Sequence, residues 1–331
     1  MKIGTSYFFI PLKEFAKENI RPQGGRIENY DFIKGIAILF VILHHVLMVY
    51  AELPLHTVFT IKNAVPLFII VTILLRYKKL EHSSLSQYWR TIVNELLKVF
   101  LPFCISLILL FAYIHPNFIQ IIKFQIGWGS YYPLVYAQLI IMAPIAYKVC
   151  KKNITQGTLL ILSFCIVTEI LFSYLDMPLW FYRLLFTRYT FLYVISYLLF
   201  EKQILSKYKW LMILFAILGG LFIYVHCYFN VNLFFYPGWI GSKFPRDFIS
   251  LVWFIILFKL CDILHYKIKK VITYFGEKSY DIFIIQMMYF CFKLPVDNII
   301  VSIILSYTII LVCSYFWGLV MKKIINLLPQ W

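Results

Sequence analysis

The sequence predicts an all-α fold, a polytopic membrane helix bundle of about ten helices with both termini cytoplasmic. Three observations predict it. Of 331 residues, 62% are hydrophobic and 14% charged, and mean hydropathy is +0.81. A soluble domain of that composition would turn large apolar patches to water. The apolar residues gather into ten segments, each near the length a bilayer crossing needs. Lys and Arg alternate between the turns, 23 toward one side and 7 toward the other, with Lys98 inside a segment. That asymmetry orients the bundle with the richer side in the cytoplasm.

Residues 1–30 are expected to form a cytoplasmic lead, polar and partly amphipathic. The early apolar run Tyr7 to Leu12 is short for a signal peptide and holds Pro11. The segments follow over 33–51, 61–76, 91–114, 131–148, 156–175, 184–200, 208–228, 246–264, 279–293 and 299–321. The second and ninth are short, which fits tilted or partly re-entrant passage. Together, 31–325 are expected to form one transmembrane domain, and 326–331 a short cytoplasmic tail. Aromatic groups near segment ends (Trp128, Tyr131 and Tyr132; Trp180 and Tyr182; Tyr236 and Trp239) suit interfacial belts. No internal repeat is visible, which disfavours repeat-built transporters.

The formal net charge of +16 would suggest nucleic acid in a soluble protein. Here the cations sit in short turns, where they face anionic headgroups. No basic run is interleaved with exposed aromatics, so no nucleic-acid groove is expected. The seven cysteines form no CxxC pair and fall mostly inside apolar segments, so neither a metal site nor a disulfide framework is expected.

The first segment reads Asp31-Phe-Ile-Lys34, then ten residues, then His45. Eleven residues at about 100° each come to within roughly 20° of three full turns. Lys34 and His45 therefore share one stripe of a helix, about 16 Å apart along its axis, and His44 points off that stripe. Ionisable groups inside an apolar span are costly and are usually kept for chemistry, a relay or a substrate path. Asp31 is placed for an ion pair with Lys34. It lies too far along the helix to form a dyad with His45.

This opening resembles the acyltransferase-3 family, membrane proteins of which many O-acylate cell-surface sugars. The family pattern is an Asp shortly before Arg or Lys, ten residues, then His. Pro66-Leu67-Phe68 resembles its second span and Lys98 with Pro102-Phe103 its third. Tyr131 through Pro144 and Ser279-Tyr280-Asp281-Ile282-Phe283 resemble two later spans. The ordered set covers nearly the whole chain. Val71-Thr72 stand where the family has Ser-Gly. Glu95-Leu-Leu-Lys98 keeps one basic residue of a paired-Arg motif, and Gln286 replaces a late His.

The resemblance implies a membrane O-acyltransferase of the inner (plasma) membrane. It would move a small acyl group, acetyl above all, from cytosolic acyl-CoA to a hydroxyl of an envelope polysaccharide or glycolipid. His45 is then the general base, since an imidazole suits proton removal from a hydroxyl. Lys34 and Lys98 would help hold the acyl-CoA phosphates, or else serve as inner-face anchors. Glu169, deep in the fifth segment, needs a partner. Arg183 and Arg188 would meet either Glu169 or an anionic acceptor, and Gln286 would bond substrate or a neighbouring helix. The departures leave an alternative, a non-catalytic export or assembly component working with envelope-biosynthesis proteins.

Overall fold

The computed structural model describes residues 28–50, 63–124, 126–201, 209–228, 244–292 and 298–327. Most of the expected lead, most of the expected tail, and Tyr236 and Trp239 lie outside the described residues. The described residues are helical with no strand. The helices are α1 (Glu28–Tyr50), α2 (Ala64–His82), α3 (Leu85–Ile114), α4 (Phe118–Ile122), α5 (Tyr132–Lys152), α6 (Ile154–Tyr174) and α7 (Leu179–Leu184). After a 3-10 turn over Phe186–Tyr189 come α8 (Phe191–Phe200), α9 (Lys209–Tyr228), α10 (Phe244–Ile263), α11 (Tyr266–Glu277), α12 (Ser279–Tyr289) and α13 (Ile299–Asn326).

Each of the ten apolar segments overlaps helix. By length and composition, five of these helices are able to cross a membrane: α1, α3, α5, α6 and α13. Several of the others are shorter or carry charge. α2 ends in Arg76, Lys78 and Lys79, and α12 has 11 residues, a rise of about 16 Å or half a hydrocarbon core. The segment over 184–200 is not one helix but α7, the 3-10 turn and α8.

Polar caps set several helix starts. Ser84 and Gln87 form a capping box at α3, and Asn153 and Asn298 cap α6 and α13. These satisfy backbone N–H groups that a helix start leaves open. Helices α1 and α2 run antiparallel, with the Lys78 ammonium 5.2 Å from the Tyr30 ring at the end where α1 begins. We call this the near end and the opposite end, where α1 stops, the far end. The Ser83–Ser84 turn sends α3 back to the far end, and the Asn153 turn does the same for α6. The segments 115–131 and 175–190 therefore both lie at the far end.

The core centres on α2, α5 and α8. Residues Phe191 to Leu199 of α8 are buried on every side, as expected of a helix apolar all round. Tyr77 of α2 donates to the Tyr193 carbonyl at 3.2 Å, and Tyr193 donates to Leu139 at 2.6 Å. At the near end α11 crosses α1 backbone to backbone. A Cβ added to Gly276 would lie 1.6 Å from the Asp31 carbonyl oxygen, and one on Gly35 2.0 Å from that of Ile272. Glycine permits that approach, which braces the first turns of α1, where Asp31 and Lys34 stand.

Candidate active site

One cavity of about 910 Å³ runs beside α1, touching Lys34 toward the near end and His44, His45 and Met48 toward the far end. Helices α2, α3, α5 and α12 and the two far-end segments complete its wall. Lys34 sits 2.6 Å from Asp31, the i,i+3 ion pair expected from the sequence. His44 lines the cavity too, although it lies off the Lys34–His45 stripe, because the chamber is wide enough to take in both.

His45 Nδ1 is 3.2 Å from Gln286 Oε1. An amide oxygen only accepts, so Nδ1–H donates and Nε2 keeps its lone pair. Gln286 is fully buried, and its Nε2 has no hydrogen-bond partner among the described residues. The His45 ring is boxed edge-on by Trp128 at 5.2 Å and Phe290 at 5.4 Å. Trp128 comes from the far-end loop 123–131. There Phe124 adopts a left-handed φ of 49° and its carbonyl accepts a hydrogen bond from Ser130 Oγ.

Arg76 is a site residue that sequence reasoning missed. It is buried in α2, lines the cavity, pairs with Glu95 of α3, and reaches the Tyr136 hydroxyl at 3.3 Å. Lys79 lies 3.6 Å from the other Glu95 oxygen. The sequence signal was a charged residue closing an apolar run, counted only among the basic residues that orient the bundle. Lys98, expected at the donor site, is exposed on α3 and does not line the cavity. One turn earlier on that helix, Glu95 faces inward instead.

At the far end Arg183 and Arg188 both line the cavity. Gln138 places them: its Nε2 donates to the Leu184 carbonyl at 2.7 Å and its Oε1 accepts from Phe186 N–H at 3.1 Å. Arg188 is buried, with its guanidinium 5.3 Å from the Tyr189 ring and 5.9 Å from that of Tyr182. Glu169 does not line the cavity. It accepts a hydrogen bond from Tyr182, and neither arginine lies within ion-pair distance of it. Buried Asp247 of α10 also attracts Arg188 electrostatically, a meeting with no local signal in the sequence.

The structure thus brings together Lys34, His45, Gln286, Arg183 and Arg188 around one chamber. It sets Glu169 behind the wall and Lys98 outside. Among the described residues no cluster of His, Cys, Asp and Glu is able to hold a metal ion.

Residues 27–322 match the family model described as an acyltransferase domain. The chain belongs to the acyltransferase-3 family. It is an acyltransferase, and its long apolar helices make it a membrane protein. No curated protein and no solved structure matches it.

Proposed function

We propose that this acyltransferase transfers a small acyl group, acetyl above all, from a cytosolic acyl-CoA to a hydroxyl of an envelope polysaccharide or glycolipid. It would do so as a ten-helix, multi-pass protein of the inner membrane with both termini in the cytoplasm. The observation that carries this reading is a single chamber touching both Lys34 and His45. The near end holds most of the basic turns, and so is the cytoplasmic end. Donor phosphates held there by Lys34 and Arg76 leave about 16 Å of α1 for the acyl arm to run up to the imidazole.

In this reading His45 Nε2 accepts the proton of the acceptor hydroxyl as its oxygen attacks the thioester carbonyl. The C–S bond breaks, and the departing sulfur takes the proton from the imidazolium. Gln286 holds Nδ1–H so that Nε2 faces the chamber. The partly apolar walls limit water and so favour transfer over hydrolysis.

His45→Ala in protein reconstituted in vesicles tests the reading. Transfer of labelled acetyl from acetyl-CoA should fall by about 10²–10⁴-fold, the usual contribution of a general base. Full transfer by His45→Ala would remove the assignment.

A further inference from the structure

We propose that the acceptor is an anionic sugar, bearing a carboxylate or phosphate near the hydroxyl to be acylated, and that Arg188, Arg183 and Lys123 bind that group. The proposal rests on the acyl-transfer reading above and deepens it by naming the acceptor's chemical class.

The cavity wall holds five Lys and Arg side chains and no Asp or Glu among the described residues. Two of the five, Lys34 and Arg76, are each paired with a carboxylate and lie toward the near end, where the donor enters in that reading. Donor binding does not use the other three. They stand on the far-end segments, on the acceptor's side of His45. Lys123 sits 5.8 Å from the Trp180 ring, and Arg188 lies 5.9 Å from the Tyr182 ring and 5.3 Å from that of Tyr189. Ring faces hold a cation in place without neutralising it.

Among the described residues, no carboxylate lies within ion-pair distance of any of the three, and buried Asp247 attracts Arg188 only from beyond that distance. Arg188 is only 7% exposed, and its Nε has no hydrogen-bond partner. A buried N–H donor left so is costly. An oxyanion arriving through the chamber would accept from it, and the fork of the guanidinium matches carboxylate and phosphate alike. Trp128 and Trp180 line the same mouth and offer apolar faces to a sugar ring.

The test uses the full chain in phosphatidylcholine vesicles with labelled acetyl-CoA and three acceptors: methyl glucoside, methyl glucuronide and glucose 6-phosphate. At least one charged acceptor should exceed the neutral one in kcat/KM by about tenfold or more, as charge-assisted hydrogen bonds allow. Arg188→Gln should bring that ratio to within about twofold, and Arg188→Lys should keep part of it. Binding is read separately as quenching of tryptophan fluorescence by glucuronide but not glucoside, so a poorly folded variant does not decide the matter. Equal rates for all three acceptors, or an unchanged ratio in Arg188→Gln, would overturn the proposal while leaving acyl transfer intact. Quenching by phosphatidylglycerol but not by either acid sugar would assign the cations to a lipid headgroup and overturn it too. No transfer to any acceptor, with no turnover of the thioester, would sink the acyl-transfer reading itself.

Discussion

The two ends of the chamber hold positive charge in different ways. Toward the near end, Lys34 pairs with Asp31 and Arg76 with Glu95, and the α1–α11 crossing locks the first of these pairs to the backbone. At the far end, Lys123 and Arg188 lie against aromatic rings, and Arg183 is exposed on α7. A cation paired to a carboxylate is oriented but largely neutralised. One held by rings keeps its charge for an incoming group. The near end is therefore built as a rigid socket, and the far end as an attractor.

Removing one arginine from each end should separate these roles most sharply. Among the described residues, Arg76→Met leaves Glu95 with Lys79 as its remaining ion partner, at 3.6 Å. We expect a loss of about 1–3 kcal/mol, below the value for a fully enclosed pair because Glu95 keeps 27% of its side-chain surface. Arg188→Met should cost less than about 1 kcal/mol, since it removes a costly buried charge that no carboxylate at ion-pair distance balances, Asp247 attracting it only from farther off. Thermal unfolding of the purified protein in detergent checks both. Equal losses would mean that Arg188 is structural, and the contrast between the ends would disappear.

A smaller effect is expected midway, at Gln286. Gln286→Leu removes the acceptor for His45 Nδ1–H and should lower kcat by about 10–100-fold, the range for groups that orient a first-line residue. The KM for acceptor should change little. Gln286→Glu keeps an acceptor oxygen and should recover part of the rate. Loss of stability with no recovery by Gln286→Glu would make Gln286 a packing residue only.

The outline of the bundle was legible in the sequence because its signals are local. Apolar runs mark the helices, and eleven-residue spacing on one helix puts Lys34 and His45 on one wall. What the sequence hid is tertiary. The break between α7 and α8 has no Gly or Pro to announce it. It exists because Gln138, on another helix, takes the Leu184 carbonyl and the Phe186 N–H. Arg76 counted only toward orientation because its partner Glu95 lies across the α2–α3 hairpin. Trp128 read as a belt residue, since nothing local says that its loop folds back onto His45. Glu169 did declare itself, as a buried acid in need of a partner, but the partner's identity depended on how α7 packs.

The smallest effect is expected at Lys98, and it bears directly on what the near end is made of. Helical geometry separates Lys98 from Glu95 by three residues, so they share a side of α3 without sharing a direction. Glu95 reaches inward to Arg76, and Lys98 is exposed. If Arg76 supplies the second donor cation, Lys98 is a surface charge. Lys98→Ala should then change stability by less than about 0.5 kcal/mol. The KM for acetyl-CoA should stay within about twofold, whereas Lys34→Ala raises it several-fold through loss of a phosphate contact. A KM that rises as much for Lys98→Ala as for Lys34→Ala would mean that α3 turns when donor binds and brings Lys98 in. The near end would then be a moving clamp rather than a socket, and the stiffness inferred from its ion pairs would belong to the donor-free state alone.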